Sequence, residues 1–292
     1  QGTGRYIAFR SNMAKTVQLM VDNIEIEFVS ECSEVTNVKA DVLTNKDAII
    51  SWVKGNKETR WNFKVYDQAV EYDAIDSTPA AIYDGEVTNN PYLLTGLKPL
   101  TTYYVYVQAV TDNCKGSWSQ CFEFRTPCPD VFEVPYVWGF DEYANNDVPN
   151  CWISKGATST STMPKVYNGT NCRDYNTGTA EGNVFYMSSY NTGYSYAILP
   201  EFNEDVANLQ ISFYGYTTKT PDVSYIEIGV MEDIDSTYLD PTVFYTKVPT
   251  NDKLFTFVER VEVTEMKQWQ PFLVMFDKYK GKGKRIAFRQ GL

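Results

Sequence analysis

The feature that most constrains this chain is the spacing of its apolar residues. No segment of ten or more residues repeats them at the ~3.6-residue period of a helix. They come in short runs, several of them alternating, separated by turns rich in Gly, Pro, Asn and Asp. In "WNFKVYD" (61–67), Trp61, Phe63 and Val65 share one face. In "NIEIEF" (23–28), Ile24, Ile26 and Phe28 oppose Glu25 and Glu27. Alternation of this kind marks strands that bury one face. Tyrosine is abundant, at 22 residues, and with Val, Ile and Thr it favours strands. The chain therefore reads as all-β, and its 292 residues at 43% hydrophobic content suffice for two cores.

Composition removes several classes of function. A net charge of -11 repels phosphate backbones, so nucleic acid is not an expected partner. No apolar run approaches the ~20 residues of a membrane span. The chain opens on Gln1 and shows no basic n-region followed by an apolar stretch, so a signal or anchor is expected outside it. Histidine is absent, which excludes His-dependent triads, His–zinc sites and His general bases together. Gly-x-Ser-x-Gly and phosphate loops are missing as well. Any two carboxylates can meet in space as a glycosidase pair, but nothing singles one pair out. The expectation is a chain that is not an enzyme.

Six cysteines occur, at 32, 114, 121, 128, 151 and 172, with no Cys-x-x-Cys pair. An even count in a strand-rich chain suggests an oxidising compartment. Cys114 and Cys121 flank "KGSWSQ" and could bridge a hairpin; Cys151 and Cys172 could form a second bridge. Cys32 and Cys128 are left without an assigned partner, and free buried thiols are the alternative.

Residues 30–127 carry short strands at close spacing: "AIISWV" with Trp52, "WNFKVYD", and "TGLKPLTTYYVYVQAV". The core Trp52, the L-x-P-x-T-x-Y run from Leu97 to Tyr103, and F-x-F-x-T from Phe122 to Thr126 resemble the fibronectin type III pattern. That resemblance implies a two-sheet sandwich, with Tyr103 as the tyrosine-corner residue, acting as a spacer. Arg-Gly-Asp is absent, so integrin-type binding has no support. "TPCPDVFEVP" marks a boundary, with residues 128–135 read as linker.

Residues 136–292 offer further strands, among them "FYMSS", "YAILPEF", "LQISFYGY", "YIEIGVM", "PTVFYTKV", "LFTFVERVEV", "PFLVMF" and "RIAFR". With "WGFDEY", "VPNCWISKG" and Trp269, this series resembles the cleaved-adhesin and MAM-like jelly rolls of surface and secreted proteins of Gram-negative anaerobes. The resemblance implies a larger antiparallel jelly-roll sandwich and an extracellular or cell-surface location.

The chain also repeats a word. "GTGRYIAFR" (2–10) and "GKGKRIAFR" (281–289) agree at six of nine positions, at an offset of 279. In the jelly rolls that the second half resembles, an "IAFR" strand precedes a final "VDNIEIE"-like strand, and such a run lies here at 21–27. Residues 1–29 are accordingly expected to be C-terminal strands of a preceding repeat, and 136–292 a jelly roll lacking its final strand. Head-to-tail self-association through residues 17–28 follows as one expectation; an edge that is simply frayed or covered is the other.

Candidate sites accompany that reading. The resemblance places a structural calcium near Asp141 and Glu142, with Asp22 as the acid from the last strand. Trp152, Tyr190, Asn191, Tyr194 and Tyr196 are candidates for stacking on a sugar and binding its hydroxyls, against a packing role for the same rings. The acidic loop "MEDIDSTYLD" lacks the EF-hand spacing, and the Lys278–Arg285 cluster reads as a solvated turn. Two Asp-Ser-Thr triplets, at 76–78 and 235–237, resemble an O-glycan acceptor motif. The functional expectation is a non-catalytic, adhesin-like module binding glycan or a surface protein. The alternatives are a structural repeat of a fibre or an accessory module of a secreted hydrolase.

Overall fold

The computed structural model describes residues 6–10, 21, 24, 26, 32–80, 82–156, 163–168, 182–188, 193–218, 225–232 and 254–291. The chain is all-β: the described residues hold antiparallel sheets and short 3-10 turns such as Tyr72–Ala74 and Val206–Asn208. It divides into two compact units. One comprises Gln1–Val42, Ala48–Leu94 and Tyr103–Phe124; the other comprises Leu43–Asp47, Thr95–Thr102 and Arg125–Leu292.

The first unit is built on β1 (Thr36–Leu43), β2 (Ala48–Val53), β3 (Arg60–Tyr66), β4 (Tyr83–Val87), β5 (Tyr92–Leu94), β6 (Thr102–Val110), β7 (Lys115–Trp118) and β8 (Phe122–Arg125). One sheet runs β1-β2-β5; the other runs β4-β3-β6-β7, with β8 also on β6. The alternation read in β3 is realised: Trp61, Phe63 and Val65 are buried, and register sets them beside Ala109, Val107 and Val105 of β6. Trp52 reaches the same core from β2 and meets Trp61 edge-on, ring centroids 5.3 Å apart. Burial of each such side chain contributes about 1.5–3 kcal/mol. Tyr103 is fully buried against Phe124.

The opposite face of the larger sheet is also covered. The segment between β3 and β4 folds back over it, fixed by the Tyr66 hydroxyl on the Ile75 carbonyl (2.9 Å) and the Tyr106 hydroxyl on the Val70 carbonyl (2.8 Å). The Trp118 indole donates to Asp76 (3.0 Å), so the first Asp-Ser-Thr triplet has its acid engaged in packing this segment.

The turn between β2 and β3 is held by a buried carboxylate. Glu58 accepts from the backbone N–H groups of Gly55 (2.6 Å) and Asn56 (2.7 Å) and from the Trp61 indole (3.3 Å). Burial pushes its pKa up, but the backbone donors of Glu58, Asn56 and Gly55, with Trp61, outweigh burial and hold it below the usual 4.5. A carboxyl depressed on folding stabilises above its unfolded pKa, and that contribution drains away as pH falls through the lower folded value. Glu58→Gln is therefore expected to cost about 1–3 kcal/mol at neutral pH and to flatten the loss of stability below about pH 4.5. Urea titrations of both proteins across acidic pH check this.

The second unit contains β9 (Ile153–Lys155), β10 (Lys165–Tyr167), β11 (Val184–Tyr186), β12 (Ser195–Ile198), β13 (Gln210–Gly215), β14 (Tyr225–Met231), β15 (Phe255–Glu262), β16 (Gln270–Met275) and β17 (Arg285–Gln290). A five-stranded sheet runs β15-β14-β17-β12-β9, and β13 pairs with β16 and β10 with β11. Between the large sheet and the β13–β16 pair lies a core of Ala197, Ile228, Val230, Val274, Phe276, Ile286 and Phe288. Phe213 of β13 meets Phe288 of β17 edge-on at 5.3 Å. The run "PTVFYTKV" (241–248) lies outside the described residues.

Residues 128–135, read as linker, are tied into this second unit. The Phe132 N–H donates to the Glu201 carbonyl (2.7 Å), the Asn203 N–H returns to the Phe132 carbonyl (2.9 Å), and Cys128 is disulfide-bonded to Cys151. The cysteine pairing expected from spacing is overturned. The disulfides are Cys32–Cys114, with Cα atoms 6.1 Å apart, and Cys128–Cys151, at 5.8 Å; Cys121 is free and exposed. The reason is geometric. Cys114 and Cys121 lie on either side of β7, and strand residues advance ~3.3 Å each. They stand well beyond the ~7 Å a disulfide can span. Cys172 lies outside the described residues.

Candidate functional site

β17 carries the second copy of the repeated word, and its two faces explain the choice of residues. Ile286 and Phe288 enter the inter-sheet core. Ala287 and Arg289 point the other way, where Ile153, Tyr196, Ile198, Met231 and Phe255 form a second cluster. Ala287 sits beside Gly229 of β14. A Cβ at Gly229 would collide with the Phe255 ring, so a side chain smaller than Ala is needed there to seat that ring.

Arg289 lies between the Tyr194 and Phe255 rings, at 4.0 and 4.1 Å from their centroids. Its Nε and Nη2 donate to one oxygen of Glu227, at 2.9 and 2.6 Å. Arg260 donates to the other oxygen at 2.6 Å and lies over Tyr225. Glu227 is only 5% exposed. Burial pushes its carboxyl up, but Arg260 and Arg289 outweigh it and hold the group below its ordinary range.

The loop entering β17 is equally determined. The Tyr279 hydroxyl donates to Glu232 (2.5 Å) and accepts from the Gly283 N–H (2.7 Å). A Cβ on Gly283 would meet the Met231 carbonyl at 2.5 Å, and one on Gly281 would strike Glu232 and Tyr279. The basic cluster is only partly a solvated turn. Lys284 pairs with Glu201 (2.8 Å), whereas Arg285 is buried, which pulls its pKa down.

Of the rings expected to face a sugar, Trp152, Tyr194 and Tyr196 lie among the described residues and take part in packing. Tyr196 is 3% exposed and packs edge-on against Phe255. This corrects its reading as a ligand residue: it faces the sheet cluster, because its place in β12 lies beside Arg289 of β17. Trp152 is half-buried among Phe140 and Phe185, and its indole donates to the Tyr136 hydroxyl (3.1 Å). Tyr194 is half-buried under the Arg289 guanidinium. Tyr190 and Asn191 lie outside the described residues. What sequence reasoning missed was Glu227 and Arg289; the identity of Arg10 and Arg289 in the repeated word was the signal that pointed to one of them.

Asp141 and Glu142 are both exposed. Asn183 donates to the Asp141 carboxylate and to the Asp141 and Tyr143 carbonyls, at 3.4, 3.5 and 2.8 Å. Calcium takes about six to eight oxygens, carbonyls and waters among them, so Asp141 and Glu142 would supply only part of a shell. Among the described residues no three His, Cys, Asp or Glu side chains gather to hold a metal ion, and Asp22 lies outside them.

Fold and chemistry together define two antiparallel units, each holding a disulfide, with a buried Glu227–Arg289–Arg260 network in the second. Residues 33–125 match the fibronectin type III domain, and that segment is one; such domains are common, generally non-catalytic modules of extracellular and surface proteins. Among solved structures, the FN5 domain of Drosophila Lar is 21% identical, covering 34% of this chain and 99% of that one, with a TM-score of 0.26. The fn3 domain of human collagen alpha-1(XX) is 16% identical, covering 35% and 92%, with a TM-score of 0.29. The sixth fibronectin type III domain of human fibronectin type III domain containing protein 3 is 20% identical, covering 35% and 92%, with a TM-score of 0.28. No curated protein matches the chain. No helix among the described residues is long and apolar enough to cross a membrane.

Proposed function

We propose that this chain is a non-catalytic repeat module of a secreted or cell-surface protein of a Gram-negative bacterium. The fibronectin type III domain spaces, and the second unit, akin to cleaved-adhesin and MAM-like jelly rolls, extends and presents the array to a surface protein. The observation that carries this reading is a disulfide within each unit. The use of Trp152, Tyr194 and Tyr196 in packing favours a protein partner over a sugar stacked on those rings.

A glycan array tests the choice. The native chain is expected to show no specific glycan signal, and Tyr194→Ala to lower the melting temperature by releasing Arg289 from one ring. A glycan bound by the native chain and lost in Tyr194→Ala, with melting unchanged, would overturn the reading and restore a sugar site on this loop.

A further inference from the structure

The chain is acidic, with 26 Lys and Arg against 37 Asp and Glu, yet one short stretch reverses that balance. Lys278, Lys280, Lys282 and Lys284 lie in the loop from β16 to β17, Arg285 opens β17, and all four lysines are exposed. Residues between them anchor the loop. Tyr279 and Gly283 are buried and joined through the Tyr279 hydroxyl, and Gly281 has no room for a side chain. The lysines therefore stand at every second position of a well-fixed backbone.

These cations lack anions. Among the described residues only Lys284 has a carboxylate within ion-pair distance, Glu201 at 2.8 Å. Lys280 reaches the Asp277 carbonyl, at 3.4 Å, and nearby Glu232 is engaged by the Tyr279 hydroxyl. Arg285 is the second, independent observation. It is 8% exposed, and its guanidinium carries five N–H donors. Among the described residues the side chain donates only to the Leu199 carbonyl, from Nη1 at 3.5 Å, the long limit of such a bond. Four residues on, Arg289 places two donors on Glu227 at 2.9 and 2.6 Å. A buried cation is costly unless it is paired and hydrogen-bonded. Burial pulls the Arg285 pKa down, with Glu201 opposing. A guanidinium in this condition calls for an acceptor from outside the chain.

We infer that the β16–β17 loop and Arg285 form a docking site for a carboxylate-rich segment of a partner protein. One Asp or Glu side chain of that segment takes the Arg285 fork, and the loop lysines hold the acids on either side of it. This rests on the protein-partner reading above and names the partner's chemistry. The planar fork matches a carboxylate through two parallel bonds, which an ammonium group does not do. The overall negative charge of the chain does not oppose the contact. At an ionic strength of about 0.15 M, potentials fade within about 8 Å, so an acidic segment on this loop answers to the lysines and not to distant acids.

The test titrates a fluorescently labelled oligoglutamate peptide with the full chain, disulfides intact, by anisotropy at about 0.15 M ionic strength. Binding is expected, and it should weaken at least about tenfold both in Lys278→Gln/Lys280→Gln/Lys282→Gln and in Arg285→Met. The lysine variant should melt as the native chain does, because those side chains are exposed. Arg285→Met keeps an apolar stem and removes an unsatisfied charge, so it should melt no lower. A control, Lys57→Gln/Lys115→Gln/Lys267→Gln, changes net charge equally at exposed lysines elsewhere and should leave binding within about twofold. No binding, an equal loss in the control, full affinity in Arg285→Met, or tighter binding of the sulfated polysaccharide heparin would each overturn the inference. So would a lower melting temperature in Arg285→Met, which would show its donors to be satisfied within the fold. The glycan array separates the two readings: a chain that binds neither oligoglutamate nor glycan loses this site and keeps a protein partner, whereas a glycan bound through Tyr194 removes the protein-partner reading itself.

Discussion

Replacing Cys32 and Cys114 by Ser is expected to destabilise the fibronectin type III domain by about 4 kcal/mol. The bond closes a separation of 82 residues, joining the segment that leads into β1 to the turn between β6 and β7. Chain-entropy reasoning makes a long loop the costly one to leave open in the unfolded state. For a domain of this size about 4 kcal/mol is a large share of total stability and moves the melting temperature by roughly 15–30 °C. The same replacement at Cys128 and Cys151, separated by 23 residues, should cost about 3 kcal/mol. Urea melts of the two double variants, with peptide mapping of the unreduced native chain, measure both. Recovery of Cys114 linked to Cys121, or a Cys32→Ser/Cys114→Ser variant as stable as the native chain, would contradict the arrangement.

The fibronectin type III domain was legible because its signal is local. Alternation in β3 and the run from Leu97 to Tyr103 each lie within one strand or its entry, and each survives in the burial of Trp61, Phe63, Val65 and Tyr103. Cysteine pairing was illegible for the opposite reason. It is a fact of tertiary closure, and six cysteines admit about fifteen connectivities that spacing cannot rank. Proximity in sequence pointed to Cys114 and Cys121, yet an intervening strand carries neighbours apart. The same distinction governs the aromatic residues. A tyrosine-rich stretch looks alike whether its rings face solvent or a sheet, and only the register of β12 against β17 turns Tyr196 inward. Strands β9 and β10, three residues each, were too short for alternation to register. Asp141 and Glu142 were visible as acids, but a metal shell needs donors from several strands. The repeated word lies between these cases. Its duplication was plain in the sequence; why those particular residues recur became clear only from Gly229, Phe255 and Glu227 around β17.

Arg289→Ala is expected to cost the second unit about 3–5 kcal/mol, because it removes one partner of a buried ion pair and leaves the other charged. Glu227 would retain Arg260, whose side chain is 45% exposed and screened by solvent, and which contacts only one of its two oxygens. The rings of Tyr194 and Phe255 would lose the cation between them. Removing both charges together is a different experiment. Glu227→Leu with Arg289→Met replaces the pair by apolar groups of similar volume and relieves the desolvation of both, so the double variant should lie within about 1–2 kcal/mol of the native chain. The sum of the single losses would then far exceed the double loss, and the difference is the coupling energy between the two residues. Denaturant melts of the native chain, both single variants and the double variant close the cycle. Additive losses would show that Arg289 acts only through its aliphatic stem and rings. A large coupling would show that the last residue of the repeated Ile-Ala-Phe-Arg word is kept for its charge, and that a strand lacking it would be a poor substitute in the β17 slot.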